Sequence, residues 1–228
     1  MLKKFLACLL TLALMLSFAA CGQTTDIRGE VSSNTNAATQ PQETTVPPTE
    51  AEFEIGSSTG NTYKNQFIGI QCTLDANWVF KTDEEIRAQN QATLGLVGDE
   101  YKDLLANAAI VYDMVAVHTN QMDTVNVVME KMSVANLLMT EEQYLNLSKD
   151  SAVGGLQSMG FTVDKAEVTK IQFAGAEHAA LTLEGSFSGI AFYETMVVVK
   201  CNGYIACITV GTWIENYCAD IINQFQPC

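Results

Sequence analysis

Two consecutive apolar stretches joined by Asn202-Gly203 place the strongest constraint on the fold of this chain. An Asn-Gly turn of two residues is typical of a β-hairpin, so residues 196–201 and 204–210 are predicted to be neighbouring antiparallel strands. Both faces of this hairpin are apolar: one presents Val197, Val199, Cys201, Tyr204, Ala206 and Ile208, and the other Met196, Val198, Ile205 and Cys207. Strands that are apolar on both faces must be covered on both faces.

Other segments alternate as strands and are separated by short turns, which join antiparallel neighbours. The predicted strands cover residues 66–74, 109–119, 124–132, 165–173, 177–184, 189–201 and 204–210. Capping boxes, with Glu or Gln three positions after Thr, predict helices starting at Thr82, Thr140 and Thr212. A short helix is also predicted over residues 99–108. We expect Gly154-Gly155 to break the helix that follows Thr140, and Gly160 to end it.

This order of elements predicts an α/β (α+β) fold. The specific expectation is a three-layer α/β/α sandwich, in which a central, largely antiparallel sheet carries helices on each face. Residues 61–228 are long enough to form one domain around a single core.

The N-terminus has the features of an export signal. Lys3 and Lys4 precede an apolar stretch at residues 5–15, which is too short for a bilayer core that needs about 20 residues. The following Phe18-Ala19-Ala20-Cys21 resembles the lipobox of bacterial lipoproteins, although an aliphatic residue is usual where Phe18 stands. The resemblance implies that residues 1–20 are removed and that Cys21 carries lipid. An ordinary secretory peptide cleaved after Ala20 is the alternative.

Residues 21–60 are predicted to be a disordered linker rich in Thr, Pro and Gln, because such a composition cannot bury enough apolar surface to fold. The expected location is therefore the extracytoplasmic face of a cell membrane, with membrane lipid contacted through Cys21. Removing Lys3 and Lys4 takes the formal net charge from −14 to −16. So acidic a chain is repelled by phosphate backbones and anionic lipid surfaces, which argues against a nucleic-acid partner.

Five cysteines remain after the signal and the lipidated residue are set aside: Cys72, Cys201, Cys207, Cys218 and Cys228. The hairpin register puts Cys201 and Cys207 on opposite faces, so they should not be bridged. Cys218 could pair with Cys228, but buried free thiols are the preferred interpretation. No Cys/His cluster has the spacing of a metal site, and no cofactor is expected.

A family resemblance rests on the run that begins at Tyr63. Its members are Tyr63, Asn65, Phe67, Gly69 and Ile70, then Leu74, Trp78 and Phe80, then Thr82-Asp83-Glu84-Glu85-Ile86. This run resembles the opening of PsbP/Mog1-like domains, which occur in many bacterial lipoproteins of unknown function. The resemblance implies an α/β/α sandwich with a binding or scaffolding role, and it supplies no catalytic residues.

Five residues are candidates for a pocket. Asp113 is a carboxylate in an apolar strand, and His118 and His178 could act as general bases. Trp78 and Trp213 lie at element junctions, where a large aromatic either fills the rim of a core or anchors a ligand. Gly56-Ser57-Ser58-Thr59-Gly60 matches the G-x-S-x-G motif of hydrolases, but it lacks the buried strand and following helix that a nucleophile needs.

Two functional hypotheses follow. The first is a tethered binding or assembly module for a protein, peptide or cell-wall component, and it does not require the chain to be an enzyme. The second is a hydrolase or small-ligand carrier with a pocket that the sequence does not reveal, for which Asp113, His118 and His178 are the candidate residues. Convergence of these three residues in one pocket would favour the second hypothesis.

Overall fold

A computed structural model of the chain describes residues 53–94 and 110–228. Two antiparallel sheets and a few helices make up these residues. The strands are β1 (Ser57–Thr59), β2 (Thr62–Asn65), β3 (Ile70–Thr73), β4 (Trp78–Phe80), β5 (Ile110–His118), β6 (Thr124–Lys131), β7 (Phe161–Phe173), β8 (Ala176–Phe187), β9 (Ile190–Cys201), β10 (Tyr204–Trp213) and β11 (Phe225–Pro227). The α-helices are α1 (Asp83–Leu94), α2 (Glu141–Ser158) and α3 (Cys218–Ile222), and a 3-10 helix spans Val134–Asn136.

The larger sheet has the strand order β4-β5-β6-β10-β9-β8-β7, and the smaller has the order β1-β2-β3-β11. The predicted hairpin at Asn202-Gly203 is confirmed as β9 and β10, in the centre of the larger sheet. Cys201 pairs with Tyr204, and Cys207 pairs with Val198, in the expected register. The hairpin of β5 and β6 is confirmed as well.

Different elements cover the two faces of the larger sheet. On one, Tyr144, Leu145, Ala152 and Leu156 of α2 pack against β8, β9 and β10, and this is called the helix-covered face. On the other, called the sheet-covered face, β2, β3, β11 and α3 pack against β5, β6, β9 and β10. The described residues therefore form a mixed α+β fold with mostly antiparallel sheets. Helices on both faces are not confirmed, because a second sheet supplies most of one outer layer.

Helix α1 starts as the first capping box predicts. Thr82 N–H donates to the Glu85 carboxylate at 2.8 Å, and Glu85 N–H donates to Thr82 Oγ1 at 3.2 Å. Further along α1, the buried Asn90 side chain bonds both the N–H and the carbonyl of Tyr112 at 2.8 Å. An amide side chain thus satisfies backbone groups of β5 as a neighbouring strand would.

Helix α2 is confirmed with both capping-box hydrogen bonds at Thr140, and Gly160 follows it with φ of 93°. The expected break at Gly154-Gly155 is wrong, because α2 runs without interruption from Glu141 to Ser158. Apart from the backbone of α2 itself, neither glycine has a neighbouring atom within 4 Å of where a Cβ would stand, so close packing does not explain their presence.

The helix predicted from Thr212 is wrong at its start. Strand β10 continues to Trp213, which pairs with Phe192, and the chain then turns at Ile214 with φ of 70°. Only Cys218–Ile222 is helical. Cross-strand pairing with β9 therefore prevails over the local capping signal.

Residues 53–60 belong to the fold and not to the predicted linker. Strand β1 pairs with β2, and Phe53 and Ile55 pack against the core of the sheet-covered face. The predicted signal, Cys21, linker residues 22–52 and the helix over residues 99–108 lie outside the described residues. Within the described parts of the chain, no helix is long and apolar enough to cross a membrane.

The five remaining cysteines are free thiols, but the prediction that they are buried does not hold for Cys201, which is half-buried, or for Cys228, which is exposed. Cys72, Cys207 and Cys218 are buried, and burial raises the pKa of Cys72 and Cys207 to about 12. A thiol with so high a pKa is a poor nucleophile at neutral pH.

Candidate functional site

A pocket of about 320 Å³ opens where the start of α2 meets β7 and β8. Its walls combine a helix N-terminus with one histidine and several charged side chains. The lining residues are Thr140, Glu141, Glu142, Lys170, Glu177, His178 and Ala179.

The capping box at Thr140 brings Glu141 to this pocket, because it fixes where the first turn of α2 begins. The Glu141 carboxylate accepts three hydrogen bonds from the larger sheet. Its donors are His178 Nδ1 at 3.0 Å, Ala179 N–H at 3.2 Å and Lys200 N–H at 3.0 Å. One side chain thereby holds the start of α2 against β8 and β9.

These contacts keep Glu141 ionised and determine which ring nitrogen of His178 carries the shared hydrogen. Partial burial acts to raise the pKa of Glu141, but the hydrogen bonds from His178, Lys200 and Ala179 outweigh it and hold the pKa below its ordinary value. An ionised carboxylate only accepts hydrogen bonds, so Nδ1 of His178 must carry the proton that it shares with Glu141. In the neutral ring, Nε2 then has a lone pair that can accept a hydrogen bond from a ligand.

The rest of the lining is predominantly acidic. Lys170 and Glu177 form an exposed ion pair at 3.4 Å, and Glu142 adds a further exposed carboxylate. The pocket therefore favours a ligand that donates hydrogen bonds or carries positive charge. Across residues 53–94 and 110–228, no group of three or more His, Cys, Asp or Glu side chains is placed to hold a metal ion.

Asp113 lies elsewhere, at a β-bulge. Strict alternation predicts that it shares a face with Val111 and Val115, but the register shifts between Tyr112 and Met114. A bulge adds one residue to a strand, so it changes which positions share a face beyond it.

The Asp113 carboxylate is buried and joins the two sheets. It accepts hydrogen bonds from Gly56 N–H at 2.5 Å, from Asn65 Nδ2 at 2.6 Å and from the Tyr63 hydroxyl. Burial raises the pKa of Asp113, and the three donors act in the opposite direction. A carboxylate so fully bonded to its own protein is a structural connection and not a reactive group.

The other candidates also have structural surroundings. His118 packs edge-on against Trp78, with ring centroids 5.1 Å apart, at the end of β5. Trp213 packs with Phe192 and Phe161 at the end of β10. Both tryptophans are buried, as expected of aromatics that fill the rim of a core.

Asp113, His118 and His178 do not converge. Asp113 and His118 are five residues apart on β5, or roughly 16 Å along a strand. His178 lies on β8, four strands away in the sheet, or roughly 19 Å. The hydrolase hypothesis built on these three residues therefore has no support from their placement.

Sequence reasoning missed a buried polar cluster on the helix-covered face. Glu194 on β9, Thr209 on β10 and Asn126 on β6 are each at most 3% exposed, and four of their polar atoms have no hydrogen-bond partner. Burial raises the pKa of Glu194 to about 8. A charged residue inside the apolar stretch 189–201 was the signal that could have revealed it.

Sequence comparison gives no match, either to models of known protein families or to curated proteins. Fourteen chains of solved structures are similar, including the following two. LpqN of Mycobacterium tuberculosis, described as involved in cell envelope biogenesis, shares 14% identity over 69% of this chain and 82% of its own, with a TM-score of 0.41. The cyanobacterial PsbP of Synechocystis shares 11% identity over 75% of this chain and 98% of its own, with a TM-score of 0.43.

Proposed function

We propose that this chain is a lipid-anchored binding module on the extracytoplasmic face of a bacterial membrane, and that it takes an amine-bearing ligand into the pocket at the start of α2. The observation that carries this proposal is the hydrogen bond between Glu141 and His178, which orients the ring in a pocket of about 320 Å³. A carboxylate that fixes the tautomer of a histidine leaves its second nitrogen ready for a ligand.

The chemistry of the lining favours an amine. Glu141, Glu142 and Glu177 outnumber Lys170, and Lys170 is already paired with Glu177. An ammonium group has three donors and no acceptor, so it can bond His178 Nε2 and the Glu142 carboxylate together. Peptide amino termini and amino sugars whose amine is not acetylated both present such a group.

The anchor rests on the sequence. The cationic start, the short apolar stretch and the lipobox-like Phe18-Ala19-Ala20-Cys21 support processing and lipidation, and residues 22–52 support a flexible tether. Several acyl chains on one residue would hold the chain to a bilayer, because each buried CH₂ contributes about 0.8 kcal/mol.

The anchor is tested by replacing Cys21 with Ala. We expect Cys21→Ala protein that has lost its signal to leave the membrane fraction, and native protein to carry added acyl mass on Cys21. Retention of the variant in the membrane pellet after high-salt and carbonate washes would contradict the proposal.

The ligand site is tested by NMR on the Cys21→Ala chain, in which the two histidines provide an internal comparison. Glucosamine and a short peptide with a free amino terminus serve as probes, with their N-acetylated forms as matched neutral controls. We expect the amines to shift the ring signals of His178 and not those of His118, and Glu142→Gln to weaken the effect. Equal shifts from the acetylated probes, or shifts confined to His118, would overturn the assignment of this pocket.

A further inference from the structure

The connection between β6 and α2 exposes an unusual concentration of apolar side chains. Val134 is 86% exposed, Leu137 40% and Leu138 93%, all within five residues of chain. Single exposed apolar residues are common on protein surfaces, but a cluster marks a site of interaction. Residues 132–139 are called the apolar loop below.

The backbone of the apolar loop is anchored to the larger sheet. Met132 N–H donates to the Gly203 carbonyl at 2.8 Å, and Lys200 Nζ donates to the carbonyls of Leu137 at 2.5 Å and Met139 at 3.0 Å. The exposed side chains are thus presented from a fixed backbone, which lowers the entropy lost when they bind a surface.

The described chain begins at the same end of the sheet. Phe53 stacks on Tyr204 with ring centroids 4.6 Å apart, and Tyr204 pairs with Lys131 at the end of β6, next to the apolar loop. Only 31 residues separate Phe53 from Cys21. If these residues are a flexible linker, as the sequence predicts, their r.m.s. span is roughly 30 Å, which keeps this end of the domain beside the anchored bilayer.

We propose that the apolar loop docks on the lipid bilayer that holds the Cys21 anchor, with Val134, Leu137 and Leu138 inserted at the boundary between headgroups and acyl chains. The proposal rests on the proposed lipid anchor for the arrival of the domain at that surface. Lys200 flanks the loop, and the third hydrogen of its ammonium group, which the two loop carbonyls leave over, can be donated to a lipid phosphate. The net charge of the chain favours a zwitterionic surface over an anionic one.

Docking by this loop also orients the ligand pocket. Thr140 lines the pocket and directly follows the apolar loop, so the pocket opens close to the membrane surface. An amine-bearing ligand would then be taken from material lying against the bilayer.

The test uses tryptophan as a depth probe in the full lipidated chain, reconstituted in phosphatidylcholine vesicles with brominated acyl chains. Leu138→Trp reports on the apolar loop. Val79→Trp is the matched control, because Val79 is 62% exposed and its strand pairs with the opposite end of β5. The native Trp78 and Trp213 are buried and present in both variants.

We expect brominated lipid to quench Leu138→Trp emission at least about twofold more strongly than Val79→Trp emission. Equal quenching of the two variants, or none, overturns the docking proposal. The docking proposal is also overturned if Leu138→Trp emission responds to protein concentration and not to lipid, because a second copy of the chain would then cover the loop.

Flotation with the vesicles is scored separately. A chain that floats only with Cys21 intact supports the anchor, whatever the quenching. If such a floated chain shows no quenching of Leu138→Trp, the docking proposal fails while the anchor stands.

Discussion

The two faces of the larger sheet treat buried polar groups in opposite ways. On the sheet-covered face, the Asp113 carboxylate receives three hydrogen bonds and links β5 to residues of the smaller sheet. On the helix-covered face, Glu194 is equally buried, but one of its carboxylate oxygens has no partner and neither do Thr209 Oγ1 and the Asn126 amide. The buried carboxylate on the sheet-covered face is therefore fully hydrogen-bonded within the protein, whereas the helix-covered face keeps four buried polar atoms without a hydrogen-bond partner.

This contrast indicates that the paired polar groups contribute to stability, whereas the unpaired ones reduce it. Native proteins pair the great majority of their buried polar groups, because unpaired ones are destabilising, and the exceptions are often retained for a function. The ligand pocket also lies on the helix-covered side, at the start of α2. We therefore expect substitutions on the sheet-covered face to reduce stability, and some on the helix-covered face to increase it.

The largest effect is expected from Asp113→Ala. It leaves the Tyr63 hydroxyl, the Asn65 amide and the Gly56 N–H without their common acceptor, which should lower the free energy of unfolding by about 4 kcal/mol. Urea denaturation measures the change. Tyr63→Phe, which removes only one donor, is the control and should cost about 1 kcal/mol. A similar small loss for both variants would mean that the carboxylate does not join the sheets.

Glu194→Met should raise the free energy of unfolding, which is the opposite of the effect expected from Asp113→Ala. The pKa of Glu194 is about 8 in the folded chain and ordinary when unfolded, so folding takes up a proton between these values. The contribution of protonated Glu194 to stability is therefore fully present below about pH 4.5 and is lost as the pH rises towards 8. When the pH is raised from 5 to 8, we expect the free energy of unfolding of the native protein to fall by about 3 kcal/mol more than that of Glu194→Met.

Urea denaturation of both proteins at the two pH values measures this difference. Glu194→Gln provides the matched control, because it keeps the shape and polarity of the side chain but cannot ionise. Parallel pH dependence in all three proteins would show that Glu194 is paired in solution, and the contrast between the two faces would then disappear.

Glu141→Ala tests the carboxylate that connects α2 to the sheet. It leaves His178 and two backbone N–H groups without an acceptor, so a loss of about 2 kcal/mol is expected. The pKa of Glu141 is lowered in the fold, so its contribution is present above the ordinary carboxyl pKa and disappears as pH falls below it.

Glu142→Ala removes the neighbouring exposed carboxylate and should change stability by less than about 0.5 kcal/mol. Equal losses for Glu141→Ala and Glu142→Ala in urea denaturation at neutral pH would contradict the role of Glu141.

Sequence periodicity predicted strands β5 to β10 of the larger sheet well, because each is at least eight residues long and bounded by turn residues, whereas the three residues of β4 were not predicted as a strand. It failed where tertiary pairing prevailed over a local signal. Cross-strand pairing extended β10 through the capping box at Thr212, and the bulge at Asp113 broke strict alternation. The smaller sheet was mostly missed, since strands of three or four residues are too short to show a period.

The candidate site was predictable in part. His178 could be named from its residue type, but its partner could not, because Glu141 lies 37 positions away and meets it only through the packing of α2 on β8. The capping box at Thr140 identified Glu141 as the first residue of a helix and gave no indication that its side chain reaches the sheet. Long-range contacts of this kind leave no local pattern in a sequence.

The two histidines give the smallest and most selective prediction. His118 contacts Trp78 edge-on and accepts a hydrogen bond from Asn120 N–H at 3.2 Å, whereas His178 is paired with a carboxylate in the pocket. Aromatic pairs contribute about 1 kcal/mol, so His118→Ala should lower stability by about that amount and leave amine binding unchanged. His178→Ala should abolish the binding of glucosamine, because Nε2 is the acceptor, and NMR titration followed through the backbone amide signals of the pocket residues measures both variants. Loss of binding in His118→Ala would place the ligand at the opposite end of the sheet, and retained binding in His178→Ala would remove the Glu141–His178 pair from the site.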